Sequence, residues 1–229
     1  MLVGRLPGKV FPVKIVVAKD GWDDGTMANL RARLVAGALV TFPTETFYGL
    51  GCDPCNPAAV TRLLRAKRRP ADKPLPIIAA NSAAARALVT LDDAASEVWD
   101  ALTRQFWPGP LTLAAPAAAG LAAEVLAGGH DVAVRVSSCS TARTLAALCG
   151  GVIVATSANR SGEPAARTSG AVVRSLGAAV DLVVDGGPCP GGTPSTVVVV
   201  HRGHLRVVRP GAIGAAALHA AVRRRPNET

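Results

Sequence analysis

Apolar positions fall along this chain in short runs separated by stretches with three-to-four spacing, and the two patterns alternate almost from end to end. Val13–Ala18 reads as a strand followed by a Gly/Asp turn, and Met27–Gly37 as an amphipathic helix with Leu30 and Leu34 inward and Arg31 and Arg33 outward. Ala38–Phe42 is the next strand, stopped at Pro43 and leading into the polar loop Thr44–Gly51, whose two glycines permit close backbone approach or positive φ. Asn56 can cap and Pro57 can open a helix with Leu63 and Leu64 on its apolar side, and Pro70 forbids continuation. Leu75–Ala79 then reads as a buried strand. Helices are predicted over Ser82–Val89 and Asp92–Arg104, a turn at Phe106–Pro110, and a strand at Leu111–Ala115. Ala117–Gly129 has no clear period. Asp131–Val136 alternates as a strand, Ser140 is placed to cap a helix over Thr141–Leu148, and Gly150 to close it. Val152–Ala155, Val180–Val184, Val197–His201 and Leu205–Val208 read as strands, with a helix near Thr168–Leu176 and another after Gly211. Without internal repeats or a linker, this alternation predicts one α/β domain over 1–229, a twisted, mixed parallel and antiparallel sheet flanked by helices.

Composition narrows the class. The 229 residues are 49% hydrophobic and 18% charged, a globular balance. No apolar run is long enough for a membrane span, and the N-terminus lacks a secretory pattern, so a cytoplasmic protein is expected. The net charge of +9 favours polyanions, although Arg223–Arg225 at the tail carry part of it. Aromatics are only 3%, so any nucleic acid would be met through its backbone, not by stacking. Five cysteines include Cys52-x-x-Cys55, but no second ligand pair accompanies them, so reduced thiols and no metal centre are expected.

Candidate chemistry lies at strand ends. Thr44–Thr46, Ser157–Asn159 and Ser195–Thr196 flank strands there, where ligands of α/β proteins gather. They offer hydroxyls and an amide but no strong base, while Lys67, Arg69, Arg135 and Arg209 offer positive charge. Such a set suits phosphate binding and stabilisation of developing charge better than nucleophilic attack. Lys67, Arg68 and Arg69 crowd one helix end, where they could also simply complement its dipole. The run Gly186–Gly192 could present backbone N–H groups to an anion or be a plain long turn. No strand-flanked G-x-G-x-x-G or G-x-x-x-x-G-K-[ST] occurs.

Seven blocks then resemble the YrdC-like family in its order: FPTETFYGLGCD (42–53), AKRRPADKPL (66–75), FWPGPLTL (106–113), VAVRV (132–136), ATSANRSG (155–162), PSTVV (194–198) and RPG (209–211). The resemblance implies a short-form threonylcarbamoyl-AMP synthase, a nucleotidyltransferase. Such enzymes join L-threonine, bicarbonate and ATP with release of pyrophosphate, and a partner transferase then modifies adenosine 37 of tRNA. It implies that Lys67, Arg69, Ser157, Asn159 and Arg209 hold ATP, with Lys67, Arg69, Ser157 and Asn159 catalytic. Thr44, Arg135 and Thr196 would orient the threonine, and Mg²⁺ would come with ATP, held by phosphate oxygens and water. Two positions depart from the family pattern. Asp131 replaces a usual Thr, which would bring a carboxylate near an anion site, and Ser137 replaces a usual Pro. They leave open a paralogue with another carbamoyl acceptor. A non-catalytic tRNA or double-stranded RNA module is the reading from a different class.

Overall fold

Most of the described helices begin where a side-chain oxygen can take the place of a missing backbone acceptor. The structure, a computed structural model, describes residues 14–17 and 22–223. The ends of the predicted first strand (Val13 and Ala18), most of the turn after it, and Arg224 and Arg225 of the basic tail lie outside the described residues. Strand β1 (Lys14–Val17) precedes helix α1 (Asp24–Val35), whose first turn is capped by Asp23, accepting from the Thr26 N–H at 2.7 Å. Strands β2 (Val40–Phe42) and β3 (Gly49–Gly51) bracket the Thr44 loop. Asn56 caps α2 (Pro57–Lys67) by accepting from Ala59 N–H at 3.1 Å, with Pro57 as its first residue.

Strand β4 (Ile77–Ala79) and helices α3 (Ser82–Arg86) and α4 (Asp93–Phe106) follow, the helices capped by Asn81 and Asp92. Next come β5 (Leu111–Pro116), a one-turn helix α5 (Ala123–Leu126) inside the segment without a period, and β6 (Asp131–Arg135). Helix α6 (Ser140–Leu148) starts one residue earlier than expected, so Ser140 is inside it and not its cap. Cys139 stands at the cap position without a side-chain bond, and the Ser137 hydroxyl instead accepts from the Cys139 N–H at 3.2 Å. The chain closes with β7 (Val152–Val154), β8 (Thr156–Ser157), α7 (Ser169–Leu176), β9 (Leu182–Asp185), β10 (Thr196–His201), β11 (His204–Arg209) and α8 (Ala215–Arg223).

The fold is α/β with mixed pairing, as expected, but the strands divide into two sheets. A five-stranded sheet runs β1-β9-β2-β3-β8, parallel among its first three strands and antiparallel from β2 onward. A six-stranded sheet runs β11-β10-β5-β6-β4-β7, with parallel pairs at β10–β5 and β4–β6. The chain crosses between the sheets at Ala155, the one residue separating β7 from β8. Strand β3 is where the pattern misled: Gly-Leu-Gly carries no strand propensity. The glycines are there for space, since a Cβ on Gly51 would collide with the Val154 carbonyl and one on Gly49 would sit 3.1 Å from the Phe42 ring.

One apolar cluster packs Leu30 and Leu34 of α1 and Leu145 of α6 against Val40, Phe42 and Leu182. The larger one joins Leu63 of α2 and Trp99 of α4 to Leu113, Val134 and Val198 of the six-stranded sheet. There Trp99 and Trp107 meet edge to face with centroids 5.6 Å apart, and the Trp107 indole donates to the Leu111 carbonyl at 2.7 Å. This fixes the FWPGP turn over the start of β5, close to the candidate site.

Candidate functional site

Strand β6 alternates over its five residues, with Val132 and Val134 in the core and Ala133 and Arg135 on the opposite face. That face forms the floor of a pocket of about 360 Å³, within the usual range for small-molecule sites. Thr44, Ser157 and Tyr48 come to the pocket from the five-stranded sheet and its loops, Arg69 from the segment after α2, and Thr112, Ser195 and Arg209 from the six-stranded sheet. The site therefore lies between the two sheets, at the ends of their strands.

Thr44, Arg69, Arg135, Ser195 and Arg209 are each tethered by hydrogen bonds. The Thr44 hydroxyl donates to the Phe47 carbonyl at 2.6 Å and accepts from the Thr46 N–H at 3.2 Å, a local turn that needs a hydroxyl or carboxylate at its first position. Arg69 donates to the carbonyls of Lys73 and Pro74, at 3.3 and 2.9 Å. Arg209 donates through Nη2 to both the carbonyl and the hydroxyl of Ser195, at 2.8 and 3.0 Å, and that hydroxyl lies 3.0 Å from Thr112 Oγ1. Arg135 donates to Glu45 at 2.8 Å. Burial works against the charge on Arg69, Arg135 and Arg209, but arginine is too basic to lose its proton on that account. Three fixed cations thus face one cavity.

Lys67 does not line this pocket. It ends α2 on the same side as Leu63, is only 2% exposed, and donates through Nζ to the carbonyls of Ser157 and of Asn159, the latter at 2.7 Å. Its pKa is drawn down to about 8, by burial first and then by the Arg69 charge, against the pull of Glu163. The side chain therefore holds the Ser157–Asn159 turn against the helix end. Asn159 is buried too, its Nδ2 donating to the Arg160 and Glu163 carbonyls at 2.9 and 2.6 Å, while its Oδ1 has no partner among the described residues. A buried acceptor left open is costly unless something reaches it.

Of the expected residues, Thr44, Arg69, Arg135, Ser157 and Arg209 converge on the pocket, and Lys67 and Asn159 back its wall. Thr196 points away: its hydroxyl donates to the Ile213 carbonyl at 2.8 Å and accepts from the Ile213 N–H at 2.9 Å. Strand alternation explains this, since Ser195 and Val197 face the pocket and Thr196 between them faces the opposite side. Asp131 is not near the cations. It starts β6 opposite Pro116, four residues and about 13 Å from Arg135, so the carboxylate does not enter an anion site. Ser137 does matter locally, because its hydroxyl donates to Glu45. Ser195, named with Thr196 as a candidate at a strand end, lines the pocket, whereas sequence reading missed Tyr48 and Thr112. A lone Thr inside the apolar run Leu111–Ala115 was the available signal for Thr112.

Gly186–Gly192 behaves as a braced turn. The Tyr48 hydroxyl donates to the Gly187 carbonyl at 2.8 Å and accepts from the Gly186 N–H at 3.2 Å, while Gly191 N–H is bonded to the Thr46 carbonyl at 2.8 Å. Burial pushes the Tyr48 phenol up to about 12, so it stays a neutral donor. The five cysteines are free thiols, and burial raises Cys52 far above the range of a reactive thiol.

A family model described as telomere recombination, covering Sua5, YciO and YrdC, matches residues 32–211. A threonylcarbamoyl-AMP synthase of Thiobacillus denitrificans is 39% identical over 182 residues, covering 80% of this chain and 95% of the relative. One from Xanthomonas oryzae pv. oryzae is 42% identical over 163 residues, 70% of this chain and 86% of the relative. Among solved structures, Sua5 of P. abyssi complexed with L-threonine superposes with a TM-score of 0.84 at 31% identity, over 92% of this chain. The chain spans 61% of that longer protein.

Proposed function

The chain belongs to the Sua5–YciO–YrdC family, and on that premise we infer that it is a threonylcarbamoyl-AMP synthase. It condenses L-threonine, bicarbonate and ATP to threonylcarbamoyl-AMP and pyrophosphate. An N–C bond forms between the threonine amine and the bicarbonate carbon as one C–O bond of bicarbonate breaks and water leaves; a carbamate oxygen then bonds to the α-phosphorus as the bond from that phosphorus to the leaving pyrophosphate breaks. The observation that carries this reading is the convergence of Arg69, Arg135 and Arg209 with the Thr44, Ser157 and Ser195 hydroxyls round one pocket. Phosphoryl chemistry of this kind needs positioning and charge stabilisation more than a nucleophilic side chain.

In this reading Arg69, Ser157 and Arg209 meet the nucleotide directly. Lys67, which does not line the pocket, would act through the Ser157–Asn159 turn that its bonds to the two carbonyls hold in place. Asn159 would place its open Oδ1 toward the nucleotide or a bound water. Thr44 and Arg135 would hold the threonine, and Thr196 would act at one remove, its bonds to Ile213 keeping Ser195 turned to the pocket. Mg²⁺ would enter with ATP as part of the substrate, its ligands being phosphate oxygens and water. No described helix is long and apolar enough to cross a membrane. A cytoplasmic enzyme that passes its product to a tRNA threonylcarbamoyltransferase, with tRNA met weakly by the basic surface, fits the chemistry.

The test is pyrophosphate release from MgATP with threonine and bicarbonate omitted in turn. Release should need both. Release without threonine but with carbamoyl phosphate would instead support a carbamoyl-adenylate enzyme, and none with all substrates present would support a binding module.

A further inference from the structure

Glu45 lies in the loop between β2 and β3, and the proposed reading gives it no role. Its Oε1 accepts from Arg135 Nη1 at 2.8 Å and its Oε2 accepts from the Ser137 hydroxyl. Ser137 is itself held from two sides, since its Oγ accepts from the Cys139 N–H at 3.2 Å and its carbonyl from Arg143 Nη1 at 2.6 Å. A line of bonds thus runs from the start of α6 through Ser137 and Glu45 to the guanidinium. Both ends of the ion pair are largely withdrawn from water, with side-chain exposures of 12% for Arg135 and 14% for Glu45. An ion pair in such a place gains little stability, because desolvating both charges cancels most of the attraction. What it does supply is orientation.

The rest of the guanidinium is uncommitted. Arg135 makes no other hydrogen bond among the described residues, yet its remaining nitrogens are not sealed off, so they open into the pocket that Arg135 lines. Without an anchor, a long side chain at the end of a strand would sample several rotamers, and the charge of Arg209 across the pocket would push it away. We propose that Glu45 is a positioning residue for the amino-acid substrate, using one edge of the Arg135 guanidinium and leaving the other free to receive the threonine carboxylate. Ser137 fixes the carboxylate of Glu45 in turn. This rests on the assignment of Arg135 to threonine.

The experiment measures binding of L-threonine and, separately, of ATP to the full chain by calorimetry. Glu45→Ala should weaken threonine by about tenfold or more, the scale of a lost charge-assisted hydrogen bond, and change ATP by less than about threefold. Glu45→Gln, which keeps an acceptor for Arg135 and an amide for Ser137, should bind threonine more tightly than Glu45→Ala. Unchanged threonine binding in Glu45→Ala, or equal weakening of both ligands, would overturn the proposal. If Glu45→Ala does not fold, Ser137→Ala decides: severalfold weaker threonine supports the relay, and wild-type binding removes it. Arg135→Lys separates the two levels. If it leaves threonine binding intact, the assignment of Arg135 fails and the proposal with it. If it abolishes binding while Glu45→Ala is silent, only the positioning role fails.

Discussion

Lys67, Arg68 and Arg69 stand side by side in sequence and live in three environments. Lys67 is buried on carbonyls, Arg68 is exposed in the left-handed region at φ 51°, and Arg69 is half-buried at the pocket. The helix stops at Lys67, so the directions of the next two side chains come from the cap and turn and not from a helical 100° step. Lys67→Ala and Arg69→Ala should each lower turnover by about 100-fold or more if they serve the nucleotide, with Arg68→Ala near wild type. Equal losses in all three would reduce the effect to general charge. The pKa of Lys67 adds a sign. Folded, it titrates at about 8, and unfolded near its ordinary 10.5, so between these values the unfolded chain holds more protons. The stability of wild type relative to Lys67→Met should therefore rise as pH climbs from 8 to 10.5, as measured by denaturant titration at each pH. That Lys67 would be buried was not legible: a basic run looks like a solvated face, and only its spacing of four from Leu63 hinted otherwise.

Elements were readable wherever local chemistry decides them. Asn56-Pro57 marks the start of α2 because cap and first residue have independent preferences that agree, and Asn56→Ala should cost about 1 kcal/mol in chemical denaturation. A loss below a few tenths would mean that packing, not the cap, sets this end. The misread elements are those decided at a distance. Strand β3 exists because Phe42 and Val154 leave room only for glycine, and α6 starts at Ser140 because Ser137 already serves the preceding turn. The direction of Thr196 likewise depends on Ile213, a contact that period-two reading cannot supply, although the alternation of Ser195, Thr196 and Val197 was there to be read.

Across the whole molecule, the division of strands into two sheets was hidden because β7 and β8 read as one apolar run with a polar end. Charge acts at the same scale. With a net +9, binding of tRNA should be weak and fall steeply with salt, as phosphates release their counterions; tight binding that resists salt and selects among tRNAs would point to a shaped interface instead. The placement of the pocket between the sheets has a consequence for how the protein comes into being. Its lining runs from Thr44 to Arg209, so every stretch of chain lacking either end lacks a wall. A polypeptide still emerging from the ribosome passes through most of its synthesis with many of its strands made and no place to hold a nucleotide. On the proposed reading, ligand capture would become available only when β11 has been delivered and Arg209 has closed onto Ser195.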